Sequence, residues 1–390
     1  VGVVHIDGNG VGAIMRDLGD AHRHAKEAGV CTTATEVKTM PDDDLQSFIM
    51  TVNKHLDNVV KDAIALSWHE IQELTPKTTV PIVPVLVGGD DVTVYTDGRY
   101  AIPFAEAYIR HYEKQTKDDD LLSVLAIVAG GKKADAPERD HFEIGDYVIQ
   151  NPGPLTASAG VAIVGRNFPF HIAYDLAEEL VSRGKKLGKK PGTVPCSTIN
   201  FHVLRDATVL DPDDTLDEYK GRSQRPFLIG CYAPERIGDA TTTSSEEAPT
   251  TTSQPLSSWA RILQAVAAFD GKKPDDPTQT TGDPFPRARA NRIVKLLAEG
   301  KEDQAATEWG YALQNAPSAG LLAKQLKLLS PHSSSSDEAG ESLEQIKWLL
   351  DLIDLSGNLP DGYLASRISD DTDCVGSQEA ADKSIAGGAQ

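Results

Sequence analysis

Apolar positions follow two rhythms, short β-branched runs and three-and-four spacing, and these alternate through the first half of the chain. "VGVVHID" ends an apolar run at Asp7 and predicts a buried strand, and "GNGVGAIMRDL" follows as a glycine-rich turn into a helix. Leu45, Ile49, Val52, Leu56, Val59, Ala63 and Leu66 recur at steps of four and three, predicting one amphipathic helix over 42–74 that lies on a sheet. Val83 to Val87 and Val92 to Tyr95 read as two strands, with Gly88 and Gly89 supplying the positive φ of a tight hairpin between them. "AIPFAEAYIRHYEKQ" predicts a second helix with Pro103 in its first turn, where the missing N–H does no harm. Residues 117–153 carry charge, Gly and Pro and read as a long inserted loop. "LTASAGVAIV" is the next strand. "FPFHIAYDLAEELVSRGKKLGKK" is a third helix, striped by Ile172, Leu176 and Leu180 beside Ala173, Ala177 and Val181. "STINFHVL" adds one more strand. The order predicts an α+β sandwich with its helices on one face of the sheet.

The rhythm changes after "RPFLIGCYAP". Thr, Ser, Glu and Pro crowd residues 239–256, a composition that cannot bury enough apolar surface to fold. From Trp259 the helical spacing dominates, in "WARILQAVAAF", "ARANRIVKLLAEG", "AGLLAKQLKLL" and "SLEQIKWLLDLIDL". The division predicted is a first domain over 1–225, a disordered linker over 226–256, and a helical domain over 257–390 with a flexible tail.

Composition narrows the function classes. The chain has 390 residues and a formal net charge of −20, which disfavours non-specific binding to nucleic acid or to an anionic membrane. Four scattered cysteines (Cys31, Cys196, Cys231, Cys374) form no C-x-x-C pair, which fits a reducing cytoplasm better than a disulfide framework. No apolar run is long enough for a membrane helix. The chain opens at Val1 inside a strand pattern without an initiator Met, so a fragment is expected.

The hairpin raises the chemical question. "VGGDDVTVY" puts Asp90 and Asp91 side by side at the mouth of a turn, where like charges repel. Asp7 ends the strand expected to lie beside it. Side chains at neighbouring strand ends are about 5 Å apart, so the three carboxylates can share one or two hard cations, Mg²⁺ or Mn²⁺. The carbonyl of Ile6 or Gly8 can complete the ligand set. Such a site activates a hydroxyl and stabilises a pyrophosphate leaving group. Gly8, Gly10 and Gly12 leave backbone N–H groups open to phosphates, with Asn9 between them and Gly88 and Gly89 across the turn. Lys185, Lys186, Lys189 and Lys190 cluster at the end of the third helix, where cations are favoured by the helix dipole.

Each element also has a plain reading: an exposed hairpin, a turn, a solvated helix end. Their joint order favours a site. Other motifs fail. "DGNGVG" lacks the dinucleotide fingerprint, "GGKK" at 130–133 lacks the phosphate-loop spacing, and "HEIQE" at 69–73 has no second histidine.

"HIDGNGVGAIM", "VGGDDVTVY", "LTASAGVAIVGRNFPFHIAYDLAEELVSRGKK" and "STINFHVL", in that order over residues 1–205, resemble the cyclase palm of the large subunit of type III CRISPR effector complexes. A more distant similarity is to the GGDEF palm of diguanylate cyclases. The resemblance implies a ferredoxin-like palm with an antiparallel sheet. It implies Mg²⁺ on Asp7, Asp90 and Asp91, Lys185 on the triphosphate, and 3′-hydroxyl attack on an α-phosphate. ATP is then the first candidate substrate, and a cyclic oligoadenylate serving antiviral defence the product. It also implies a second palm, in another copy or upstream, and an RNA-guided complex as partner. Asn9 stands where relatives carry an aspartate, and Asp91 departs from the Glu-Phe of diguanylate cyclases. Two readings stay open: an Mg²⁺-dependent nucleotidyltransferase or cyclase, and a catalytically weak nucleotide-binding scaffold that senses a ligand or binds partners.

Overall fold

The computed structural model describes residues 1–16, 18–27, 45–76, 79–129, 141–144, 147–150, 154–188, 196–205, 211–217, 221–230, 258–329 and 338–368. The chain divides into two compact units, Val1–Pro212 with Leu228–Ala233, and Asp213–Phe227 with Pro234–Gln390.

The first unit is mixed α/β. Its elements in chain order are β1 (Gly2–Asn9), α1 (Val11–Arg16), α2 (Leu18–Glu27), α3 (Leu45–Leu74), β2 (Ile82–Gly88), β3 (Asp91–Thr96), α4 (Gly98–Asp118) and α5 (Asp120–Ala129). There follow β4 (His141–Ile144), β5 (Tyr147–Gln150), β6 (Thr156–Ile163), α6 (Phe170–Gly188) and β7 (Ser197–Val203); of the next two elements, α7 (Pro212–Asp217) belongs to the second unit from Asp213 on, and β8 (Phe227–Ile229) to the first from Leu228 on. One sheet runs in the order β2-β3-β1-β6-β7-β8. Strand β1 sits in its middle, antiparallel to β3 and to β6, and Val3, Val4 and Ile6 are fully buried.

Two expectations about this layer are corrected. The sheet is mixed, because β6 and β7 pair in parallel, Ser158 against Thr198 through Ile163 against Val203. Helices also cover both faces. A Cβ on Gly2 would meet Ala101 of α4, whereas His5, of opposite parity on the same strand, meets the Tyr174 ring of α6. The parallel step from β6 to β7 is made through α6, which lies on the face opposite α4.

Further corrections are local. Helix α3 carries its buried side, Val52, Leu56, Val59, Ala63 and Ile71, against α4 as well as near β2, so it forms an outer layer and not one laid directly on the sheet. Helix α4 starts one turn earlier than expected because the Asp97 carboxylate caps it, accepting from the Arg99 N–H at 3.0 Å; Pro103 therefore stands in the second turn. The insertion is no structureless loop. Asp119 accepts from the N–H groups of Leu121 and Leu122 at 3.0 and 2.9 Å and starts α5, and β4 and β5 pair as a hairpin. Residues 130–140 and 151–153 lie outside the described residues. Within the expected linker, Phe227–Ile229 form a strand, while 231–257 lie outside the described residues, as do Lys189, Lys190 and the tail beyond 368.

The second unit contains α8 (Ser258–Phe269), a small hairpin of β9 (Lys272–Lys273) and β10 (Asp276–Thr280), then α9 (Arg287–Ala298), α10 (Glu302–Asn315), α11 (Pro317–Leu329), α12 (Glu338–Ile346) and α13 (Leu349–Asn358). Phe269, Phe285 and Trp309 form a row of rings at its centre, all fully buried. The buried Arg225 donates to Asp351 at 2.7 Å and to Asp354 at 3.0 Å, and Ser223 and the Gln224 N–H also donate to Asp351.

Candidate metal centre

The hairpin geometry begins with the pairing of Gly88 and Asp91, which leaves a two-residue turn of Gly89 and Asp90. Gly89 has φ +60° and Asp90 has negative φ, the arrangement in which glycine is needed at the first turn position only. Gly88 closes the ladder without a positive φ, which corrects the expectation that both glycines supply one. The register of β1 on β3 ends at Ile6 against Val92. One step further sets Asp7 opposite Asp91, on the face that α6 covers.

Asp90 arrives from the turn. A Cβ on Gly8 would lie 2.7 Å from Asp90 Oδ2 and 2.8 Å from its Cβ, so only glycine at position 8 admits this side chain. The result is a group of three carboxylates, Asp7, Asp90 and Asp91, each half-buried and each offering an oxygen within 4.8 Å of the others. Lys185, projecting from the last turn of α6, donates to Asp7 Oδ2.

Three negative charges and one ammonium do not balance. Burial, then the charges of Asp7 and Asp91, push the Asp90 carboxyl from 3.8 up to about 6. Burial and Asp7 also raise Asp91. His5 lies behind Asp7 on the same face, its Nδ1 3.0 Å from Thr93 Oγ1, and burial holds it below its ordinary value despite the nearby aspartates. It is therefore no replacement for a missing cation. The donor set is three hard oxygens with surplus negative charge, which fits Mg²⁺ or Mn²⁺.

Asn9 is placed differently. Its amide donates to Thr156 Oγ1 at 3.1 Å and to the Cys196 carbonyl at 3.2 Å, and its oxygen accepts from Ser158 at 3.0 Å. Thr198 donates onward to Ser158 at 2.9 Å. The side chain is thus committed inside the sheet and is not brought to the hairpin. Ile6 is fully buried within its ladders, and Gly10, at φ +87°, directs its carbonyl to the Ile14 N–H at the start of α1.

Some neighbours carried no sequence signal. Tyr108 and Tyr112 of α4 are fully buried, their rings stacked with centroids 5.9 Å apart, and neither hydroxyl has a hydrogen-bond partner among the described residues. Burial foremost, with Asp90 among the contributing charges, raises both phenols. In sequence they read only as part of a helix stripe. His5 was accessible through parity, two residues before Asp7 on one face of a strand. Compared with known proteins, the chain matches no family model and no curated sequence.

Proposed function

We propose that the first unit is a palm-type, Mg²⁺- or Mn²⁺-dependent nucleotidyltransferase or nucleotide cyclase, with ATP the first candidate substrate. In this reading the unit is a ferredoxin-like palm and the second unit its helical companion. The observation that carries it is the convergence of Asp7, Asp90 and Asp91 within 4.8 Å, from a central strand and a hairpin, with a lysine at the same point. These three aspartates hold the cation, which when bound neutralises phosphate charge and lowers the pKa of the attacking hydroxyl. Lys185 leaves Asp7 for the phosphates and replaces one ion pair with another. His5, kept neutral, flanks the acidic centre two residues before Asp7 on the same strand. Joining two nucleotides requires a second palm, and proximity then supplies several kcal/mol of the barrier. A cyclic nucleotide or oligonucleotide signal in antiviral defence, alone or within an RNA-guided complex, is the corresponding role.

Asn9 supports a second reading. With its amide spent inside the sheet, the site has three carboxylates and no fourth, as expected of a nucleotide-binding scaffold with weak turnover. Incubation with labelled ATP or GTP plus Mg²⁺ or Mn²⁺, followed by product separation, distinguishes the two. We expect an oligomeric or cyclic product that D90A and D91A each abolish while the fold is kept, since both residues are only half-buried and the change removes like-charge repulsion. Full turnover in both variants removes the proposed site; nucleotide binding without any product favours the scaffold.

A further inference from the structure

The strand beside the metal centre has a surface that the proposed chemistry does not use. Strand β2 is the outermost strand of the sheet, and past Ile82 every residue of it is exposed. Val83, Val85, Leu86 and Val87 are 58, 52, 47 and 41% exposed. They do not share a face. Val83 pairs with Tyr95, whose ring touches Phe170 of α6, and Leu86 pairs with Thr93 on that same side. Val87 points the other way and lines a cavity of about 480 Å³ with Ile64, Ala65 and Trp68 of α3. A strand apolar on both faces is the pattern of an interior strand, flanked on both edges. Among the described residues one edge is open, and a long apolar open edge is a pairing template.

We propose that the outer edge of β2 is a two-fold interface, with the β2 of a second copy of this chain as its occupant. Three observations select a copy over other occupants. The stretch Thr78–Gly89 contains no charged residue, although the chain as a whole carries −20. Two such molecules repel one another except across neutral surface, and this exposed edge is one neutral strip. An antiparallel strand on its own image is isologous, so pairing stops at two and the edge is consumed. The apolar surface along the edge is also patch-sized, on the order of a few hundred Å² per copy, which fits a small reversible interface and not an obligate one.

The local backbone fixes where pairing occurs. Pro84 has no N–H to offer, and the register of β2 shifts between Pro84 and Leu86. The usable ladder is therefore Val85–Gly88, centred near Leu86. The partner's strand then runs beside the α3 groove, where its own Val85 and Val87 meet Ile64 and Trp68. In this arrangement the two hairpin tips point in opposite directions and stand roughly 25 Å apart, at about 3.3 Å per strand residue. The interface is thus separate from any sharing of substrate between two acidic centres, and it holds whether or not the nucleotidyltransferase reading does.

Light scattering of the full chain from low micromolar to several hundred micromolar tests this. The mass is expected to rise from 41.9 kDa toward twice that value, and V85K is expected to stay at 41.9 kDa throughout. The control Y311K alters an equally exposed apolar residue of the second unit and should leave the doubling intact. Hydrogen exchange gives a second readout: amides 85–87 should slow with concentration in the wild type and not in V85K. An unchanged melting curve for V85K establishes that it is folded. A wild type that stays at the single-chain mass, or a V85K that doubles like the wild type, overturns the proposal.

Discussion

Two acidic clusters in this molecule solve the same problem in opposite ways. Asp351 and Asp354 in the second unit are buried, and Arg225 bridges both while Ser223 and Gln224 fill the remaining acceptor positions of Asp351. Asp7, Asp90 and Asp91 in the first unit are only half-buried, yet among the described residues they bring three charges together against one ammonium, that of Lys185. In the first case the chain supplies its own counter-charge and the cluster is part of the architecture. Burial raises Asp351 in the first as it raises Asp90 and Asp91 in the second, so the direction of the shift is shared, but only in the second does the charge deficit remain. Acidity alone does not distinguish a site from a strut. The balance of donors around it does.

The largest test of this contrast exchanges the clusters' expected fates. Asp351→Ala leaves Arg225 buried opposite one carboxylate fewer and should cost about 3–5 kcal/mol of stability in the second unit, read by denaturant unfolding. Asp90→Asn should not destabilise the metal-free protein at neutral pH, because it removes repulsion. Equal losses in both variants would erase the distinction.

A cation should act on the acidic cluster of the first unit only. At a hundred times its Kd a divalent ion contributes about 2.7 kcal/mol, a rise in Tm on the order of 5 °C, for the wild type and not for Asp90→Asn. The pH dependence in chelator has a definite sign. The folded-state value of Asp90 is raised from 3.8 to about 6, so its stabilising proton is fully bound below 3.8 and lost as pH rises through about 6. Metal-free Tm should therefore fall across that window, and Asp90→Asn should flatten the slope. A wild-type curve that is flat, or that rises, contradicts the electrostatics given above.

The smallest effect concerns Lys185. Lys185→Ala frees Asp7 for a cation while removing a phosphate partner, so we expect tighter Mn²⁺ binding and a KM for nucleotide raised about tenfold, from one charge-assisted hydrogen bond. Titration calorimetry and steady-state kinetics read the two halves separately. An unchanged KM returns the lysine to the role of a helix-end cation.

Much of the first unit was legible from local rules. The hairpin followed from glycine between β-branched runs, and α3 and α6 followed from their apolar spacing. The adjacency of Asp7 to Asp90 and Asp91 was readable because all three lie where strands end. What was not readable depends on distant partners. The placement of α6 on the face opposite α4 is not encoded in the spacing of "FPFHIAYDLAEEL". The commitment of Asn9 needs Thr156, Ser158 and Cys196, between 147 and 187 residues away. Gly8 looked like a phosphate-loop residue, and its tight contact is with the Asp90 side chain. Asp119 fell inside the stretch read as a charged loop although it starts a helix, and that concealed the order within the insertion.

Helix α6 rests on the sheet through glycines. A Cβ at Gly160 would stand 2.0 Å from the Ala177 carbonyl, one at Gly184 would stand 2.6 Å from Thr198 Oγ1, and one at Gly188 would stand 2.5 Å from the Cys196 carbonyl. At Gly160 and Gly188 the helix and the strands meet without a Cβ between them, so the post from which Lys185 projects is stiff. The lysine's travel between Asp7 and anything that arrives beside it is then limited to torsions of its own four-carbon stem. Such rotations take picoseconds to nanoseconds, far faster than the microsecond-to-millisecond closure of a lid or domain. The acidic centre is thus built to exchange its counter-charge by side-chain rotation alone, with the helix and sheet standing still.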